Sequence, residues 1–572
     1  MSEKLYKTIK VDNLKDMLEK SGELYADNIA YKIKREKGKY VTYTHKQVRE
    51  MINALGTALI DIGLKDKRIA IIGENRYEWE IAYLSVVCGT GTVVPLDKSL
   101  PANELESVIE RSEVEAIFYS KKYEETLTKI KYKESNKLKH LISMDKLQSE
   151  HGIYSMKELI VKGKDLIENG NKKFLKAKID NKEMSIMLFT SGTTSRSKVV
   201  MLSHKNICSN LMDIASILDV NSNDVFLSVL PIHHVFECTV GFLFSLYRGA
   251  QTVFCDGLRH ITENLKEYKV SIMACVPGIY EKIFMMVRKQ LDKQGKLQEI
   301  LENEEKYKNS TMEERKKVFK EIHDMFGGNI KLFISGAAAL DSGIEERYRL
   351  LGFNLVQGYG LTETSPVVAV GTNKEYKTGS IGKCVPSDDV KLLNVNSEGI
   401  GVLVVKGPNV ALGYYNDARA TKESFEDGWF KTGDLAKIDD EGYIFICGRK
   451  KSVIVLKNGK NIFPEEMENL VNKIEGVKES FIFGKQLSED SENIKIHVKI
   501  VYDKNVVKET YKVETEEEIY NALASKIKEI NAHMPTYKAI RGMIITEEPL
   551  IKTTTNKIKR QANLDEINKV KN

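Results

Sequence analysis

The run Leu188–His204, reading LFTSGTTSRSKVVMLSH, constrains this chain more than any other stretch. The apolar MSIMLF that leads into it is a buried-strand pattern, and a helix-like run follows Ser203. A hydroxyl-rich loop therefore sits at the end of a buried strand, where open α/β sheets bind ligands. Thr190, Ser191, Thr193 and Thr194 each offer a hydroxyl and a backbone donor, Gly192 opens torsions closed to other residues, and Lys198 adds a positive charge. By itself a short hydroxyl run is as often a solvated turn. Its flanks shift the reading towards phosphate, with a nucleoside triphosphate as the expected guest. A Walker A loop would need glycine at Ser197 and Ser or Thr at Val199, so ordinary P-loop chemistry is disfavoured.

Short apolar runs beginning at Arg68, Ala116, Val225, Thr252 and Lys331 alternate with helical-length segments. That rhythm predicts mainly parallel sheets covered by helices, an α/β fold. Between Tyr280 and Phe326 the chain is highly charged, with apolar residues at helical spacing, and reads as a helical insertion or surface helix pair. After Gly448 its character changes to a second set of short strands and helices, including ESFIFGK, NIKIHVKIVYD and a helix from about Glu516 to Asn531. The expectation is a large domain over residues 1–449 and a smaller α+β domain over 450–572, with only a tight hinge between them.

At 572 residues the chain exceeds the size of one efficient core, which agrees with that division. Lys+Arg 87 against Asp+Glu 81 gives a formal charge of +6 spread along the chain, which argues against dedicated nucleic-acid binding. The seven cysteines include no CxxC pair and read as reduced core thiols. The amino terminus lacks a signal-peptide pattern, and no apolar run approaches the roughly 18 residues of a membrane span. A cytoplasmic protein is expected, and peripheral contact with the inner face of the membrane is compatible with the same sequence.

The Leu188–His204 run resembles the adenylate-forming superfamily of acyl-CoA synthetases, adenylation domains and luciferases, whose loop reads close to TSGTTGxPKGVMLSH. Further motifs follow in the family's order. ISGAAAL ends a strand in small residues, and QGYGLTETSP supplies Tyr359 as a stacking face. Together they resemble the adenine pocket, formed by Gly336, Ala337, Ala338, Gln357, Gly358, Tyr359 and Gly360. The resemblance implies that Glu363, with Thr190, holds Mg²⁺, a hard cation that prefers carboxylate and phosphate oxygens. It implies that Thr362 assists at the α-phosphate, that Asp434 binds the ribose hydroxyls, and that Arg449 serves the ribose-phosphate side.

In IKTTTNKIKRQ, Lys557 matches the family lysine whose charge stabilises the phosphoryl oxygens during adenylation. In LPIHHVFE, His234 matches the family histidine beside the acyl carboxylate, with helix packing as its alternative. Adjacent histidines rarely face one ion, so His233 and His234 do not read as a metal pair.

The resemblance is strongest to long-chain fatty acyl-CoA synthetases, which carry a helical insertion at the corresponding place. It implies ATP-dependent activation of a fatty acid through an acyl-adenylate, followed by transfer to coenzyme A with release of AMP. In that scheme Lys451 takes the hinge position and Gly459 lines the pantetheine tunnel. Phe236, Phe242, Leu243, Phe244 and Cys275 are candidates to line the acyl site, with ordinary core packing as the alternative for each. The chain departs from the family at Ser195, Ser197, Val199, Val402, Ile551 and Asn556. Two alternatives stay open: a fatty acyl-AMP ligase that serves a carrier protein, and a degenerate acyl or nucleotide sensor without catalysis. Acyl chain length and the choice between monomer and homodimer also stay open.

Overall fold

The computed structural model describes residues 5–133, 136–190, 197–372, 374–456, 460–486, 494–553 and 557–569. Two large sheets organise the amino-terminal part. In the first, the strands Gly91–Pro95, Lys67–Ile72, Ala116–Tyr119, His140–Ser143 and Ile153–Ser155 run parallel beside Met184–Phe189. In the second, Ile29–Glu36, Gln251–Phe254, Val225–Ser228, Ile272–Cys275, Leu332–Ser335 and Leu355–Gly360 form a parallel centre with antiparallel strands at both edges. Parallel strands are buried on both faces, which is why central ones such as Ala116–Tyr119, Ile272–Cys275 and Leu332–Ser335 read as short apolar runs rather than alternations. The α/β architecture expected from the strand–helix rhythm is the one observed.

The strand before the hydroxyl loop and the helix after Ser203 are both observed, and between loop and helix the segment Val199–Ser203 forms a further strand antiparallel to Met184–Phe189, with Phe189 opposite Val199 and Leu188 opposite Val200. The helix His204–Ile217 begins only after that. Its start is fixed by a reciprocal cap, Ser203 Oγ accepting from the Asn206 amide and Asn206 Oδ1 accepting from the Ser203 amide. The strands on either side of the loop are thus paired with each other up to Phe189 and Val199.

The charged segment is helical throughout its length, as Pro277–Lys293, Lys296–Glu302, Glu304–Lys308, Met312–Val318 and Lys320–Met325. It is more than a solvated excursion: Phe284, Val287, Leu291, Ile300, Tyr307, Phe319 and Ile322 are buried in one core cluster with Phe333 and Tyr348. The cysteines are all free thiols, five of them buried. Cys255 and Cys447 are partly exposed, so the reading of every cysteine as a core residue holds for five of seven.

After Arg449 a 3-10 turn over Lys450–Ser452 leads into a smaller layer. There Ile494–Tyr502 pairs antiparallel with Val477–Gln486 and parallel with Ile540–Thr546. The helix Glu516–Ala532 covers this sheet through Ile519, Leu523 and Ile527. The layer touches the larger part through the ion pair of Lys473 with Asp341, 2.6 Å apart. Among the described residues no helix is long and apolar enough to cross a membrane.

Candidate active site

The neck of the hydroxyl loop is closed by the Thr190 amide, which donates to the Lys198 carbonyl at 2.9 Å. Ser191, Gly192, Thr193 and Thr194 lie outside the described residues. The Lys198 ammonium stands 4.3 Å from the centre of the Tyr414 ring, a cation–π contact. The Tyr414 hydroxyl in turn donates to Glu363 Oε1 at 2.8 Å. Two pairings make this chain of contacts. The short strand Gly413–Tyr414 lies antiparallel to Val199–Ser203, and the Ala411 amide donates to the Glu363 carbonyl. Tyr414 carries no sequence signal for this role. Only strand register brings it to the glutamate.

The flat side of the site is built from two strand ends. Beyond Ser335, the Gly336 amide donates to the Cys275 carbonyl, and Ala337 takes a left-handed backbone at φ 68°. A Cβ on Gly336 would stand 2.9 Å from the Phe236 ring, so glycine is needed for that ring to pack on the backbone. Ala337 and Ala338 are exposed beside it. Gln357 uses its side chain to tie this edge together: its oxygen accepts from the Leu340 amide and its nitrogen donates to Glu345. Gly360 passes so near Pro366 that a Cβ would sit 1.8 Å from the Pro366 carbonyl oxygen. Thr362 opens the 3-10 turn Thr362–Thr364 that carries Glu363.

Asp434 and Arg449 occupy opposed positions on the antiparallel strands Trp429–Ile438 and Ile444–Arg449. Asp434 is buried, with one carboxylate oxygen 2.7 Å from Arg449 Nε and the other accepting from the Tyr359 hydroxyl at 2.5 Å. Loss of water raises the Asp434 pKa above the ordinary value, while Arg449, Tyr359 and Lys557 act against that rise. Tyr359, placed by the motif as a stacking face, thus also serves as a donor that holds the aspartate.

Lys557 lies on a turn in which the Thr553 amide donates to the Lys557 carbonyl and the Lys557 amide to Thr553 Oγ1. The residue is exposed, and the charges of Arg449, Asp434 and Glu363 bear on its ammonium. Desolvation lowers its pKa from the ordinary lysine value, aided by Arg449 and opposed by the two carboxylates. The same ammonium helps lower the pKa of His234, for which desolvation is again the larger cause. The His233 and His234 rings lie 4.1 Å apart, tilted by 47°, and desolvation drives the pKa of the buried His233 down to about 3, so that it is neutral near pH 7. Neither histidine joins a metal cluster; among the described residues no three His, Cys, Asp or Glu side chains form one.

Two further carboxyls lie deeper. Glu237 is fully enclosed and accepts from Ser228 Oγ at 2.6 Å; burial drives its pKa up to about 8. Burial also raises the Glu80 pKa well above the ordinary value, with Glu237 as a contributing charge. Of the acyl-site candidates, Phe236 lies against Gly336, whereas Phe242 packs edge-on to Trp79 and Tyr83 and Phe244 edge-on to Phe226 in the main core. Leu243 and Cys275 are likewise enclosed. Val402 is buried in its strand between Leu393 and Leu435. Lys451 lies in the 3-10 turn after Arg449, and Gly459 lies outside the described residues.

Residues 18–415 match the family model described as AMP-binding enzyme, and residues 451–570 match the AMP-binding enzyme C-terminal domain. Long chain acyl-CoA synthetase 3 of Arabidopsis thaliana is 28% identical over 78% of this chain and 72% of its own length. Long-chain-fatty-acid--CoA ligase 1 of Cavia porcellus is 29% identical over 78% of this chain and 68% of its own. Among solved structures, ATP-bound MatB from Rhodopseudomonas palustris superposes with TM-score 0.74 at 23% identity, covering 97% of this chain and 99% of that one. The anthranilate CoA ligase AuaEII, in complex with anthranoyl-AMP, gives 0.75 at 19% identity, covering 99% and 98%. At these identities the structural likeness speaks for the fold.

Proposed function

Because the chain belongs to the AMP-binding enzyme family of adenylate-forming ligases, we propose that it activates a long-chain fatty acid with ATP and passes the acyl group to coenzyme A. The observation that carries this reading is geometric: the buried Asp434 carboxylate is held 2.7 Å from Arg449 Nε and by the Tyr359 hydroxyl, and Glu363 is joined through Tyr414 to Lys198. Arg449, Asp434 and Glu363 also bear electrostatically on Lys557, so distant stretches of sequence supply the charges that an adenylation needs.

In the first half-reaction a carboxylate oxygen attacks the α-phosphorus of ATP, the bond to the bridging oxygen breaks, and pyrophosphate leaves. Negative charge grows on the α-phosphoryl oxygens, where a preplaced ammonium stabilises it without reorganisation. Lys557 supplies that charge, Lys198 and the loop hydroxyls hold the β- and γ-phosphates, and Asp434 accepts from the ribose hydroxyls. The neutral strand ends at Gly336–Ala338 and Gln357–Gly360 give the adenine a flat surface. In the second half-reaction the coenzyme A thiol attacks the acyl carbonyl and AMP leaves, with the thiol proton passing to solvent. His234, held with a lowered pKa, borders the carboxylate and does not add a charge there near pH 7.

The donor set fits Mg²⁺. One carboxylate, Glu363, and one hydroxyl, Thr190, flank the phosphate loop, and Mg²⁺ commonly binds one or two carboxylates together with substrate phosphates and water. When bound, it would neutralise phosphate charge and orient the triphosphate.

The relatives whose names specify long-chain acyl groups, together with the helical insertion, support a long-chain substrate. The test is pyrophosphate release with Mg-ATP across short, medium and long fatty acids, with and without coenzyme A, and Lys557→Ala as control. Release favouring long chains, with thioester only when coenzyme A is present, is expected. Release without thioester would replace the reading by an acyl-AMP ligase, and absence of release with every acid would remove catalysis from it.

A further inference from the structure

The phosphate loop of this chain has serine at position 197 where its family resemblance leads one to expect a proline, and the structure supplies a substitute for the lost stiffness. Arg111 lies in the last turn of the helix Ala102–Ser112. Leu105, Val108 and Ile109 of that helix pack with Met187 and Val199, residues of the two strands that carry the loop. The packing delivers the guanidinium to the loop's mouth. Arg111 Nη1 donates to Ser197 Oγ at 3.0 Å and Nη2 donates to the Ser197 carbonyl at 2.5 Å. The same group lies 5.2 Å from the centre of the Phe189 ring. One side chain therefore touches the residue just before the loop and the residue just before Lys198.

We propose that Arg111 is a positioning residue for ATP: by gripping Ser197 from both its hydroxyl and its carbonyl while lying over Phe189, it fixes the backbone from which Lys198 reaches the phosphates. The proposal rests on the adenylation reading above. A guanidinium suits the task because its planar fork meets two acceptors at once, which an ammonium cannot do with the same geometry. The carbonyl at the end of its own helix is served by another residue, the Ser112 oxygen accepting from Arg68 Nη1 at 3.2 Å. Capping of its own helix therefore does not account for the direction Arg111 takes.

The test compares wild type with Arg111→Ala, Arg111→Lys, Ser197→Pro and the double variant Arg111→Ala/Ser197→Pro. Four readouts are taken: ATP affinity by calorimetry, KM for Mg-ATP in pyrophosphate release, thioester formation from supplied acyl-adenylate, and melting temperature. Loss of a charged two-point grip predicts about tenfold or greater weakening of ATP affinity and a matching rise in KM for Arg111→Ala. Thioester formation from supplied adenylate should be unchanged. Arg111→Lys should recover little, and the added proline should restore most of the affinity, because it fixes the same backbone covalently. Unchanged ATP affinity in Arg111→Ala, equal loss in both half-reactions, or failure of the proline to rescue would each overturn the proposal. If wild type binds ATP but releases no pyrophosphate, the ligase reading fails while the affinity comparison still decides the role of Arg111; absence of ATP binding by wild type overturns both.

Discussion

Asp434 faces Arg449 directly across an antiparallel strand pair, Nε to Oδ1 at 2.7 Å, while its other oxygen accepts from Tyr359. The carboxylate is held from two sides, by a cation and by a hydroxyl. Asp434→Asn keeps the volume and removes the charge on which both contacts depend. Since a hydrogen bond to a charged group contributes about 1.5–3 kcal/mol, KM for ATP should rise by about tenfold or more. Steady-state kinetics with varied ATP checks this, and an unaltered KM would remove Asp434 from the nucleotide site.

Tyr414 links Lys198 to Glu363, its ring under the ammonium and its hydroxyl on the carboxylate. Tyr414→Phe keeps the ring and deletes only the hydroxyl. The Mg²⁺ concentration for half-maximal pyrophosphate release should then rise about tenfold, since the lost hydrogen bond to the glutamate carboxylate contributes about 1.5–3 kcal/mol. Tyr414→Ala should lower ATP affinity as well. A magnesium titration of both variants separates the two contributions.

Lys557 has a pKa below that of an ordinary lysine, chiefly through desolvation. The charge used in adenylation is present below that lowered value and is lost as pH rises through it. Pyrophosphate release should therefore decline on its alkaline side at a pH lower than a free lysine would give. Lys557→Arg should shift the decline upward while lowering the maximum, since guanidinium stays protonated at every accessible pH. A pH–rate profile for each protein, taken on release alone, tests the assignment. An alkaline limb that stays in place in the arginine variant would contradict it.

Glu237 bears on stability. Its ordinary value is 4.5 and its folded value about 8, so between those pH values the folded chain holds a proton that the unfolded chain has released. Unfolding free energy must then fall as pH rises through that window, with a slope from this group of at most about 1.4 kcal/mol per pH unit. The penalty is complete above the folded value. Glu237→Gln removes it, so the variant should exceed wild type in stability at pH 8 and match it near pH 4. Denaturant melts of both proteins across pH give the difference, in which other groups such as Asp388, also held up at about 8, cancel.

The strands at Lys67–Ile72, Ala116–Tyr119 and Leu332–Ser335 were legible because a buried parallel strand must be apolar throughout, a local property of sequence. The return strand Val199–Ser203 was not, because VVMLSH leads straight into a helix and nothing in its pattern says that the chain pairs back on Met184–Phe189 first. Lys557 was legible by its motif, but its surroundings were not. In the structure its pKa is lowered, chiefly by desolvation, and the charges of Arg449, Asp434 and Glu363 bear on it, an influence from residues distant in sequence.

The sequence by itself determined the apolar strands of the two large sheets and the helix after Ser203, the glycines that permit close approach at Gly336 and Gly360, and the identity of the groups able to handle phosphate and carboxylate. Tertiary structure alone decided which of them meet. Tyr414 reaches Glu363 across 51 residues of chain and Arg111 reaches Ser197 across 86, and both contacts depend on strand register and helix packing. It also decided the protonation of His233 and Glu237, since the cost of a charge is set by the water that folding removes from around it. Local periodicity records how a segment meets the core, whereas charge state and long-range contact record what the rest of the core places beside it.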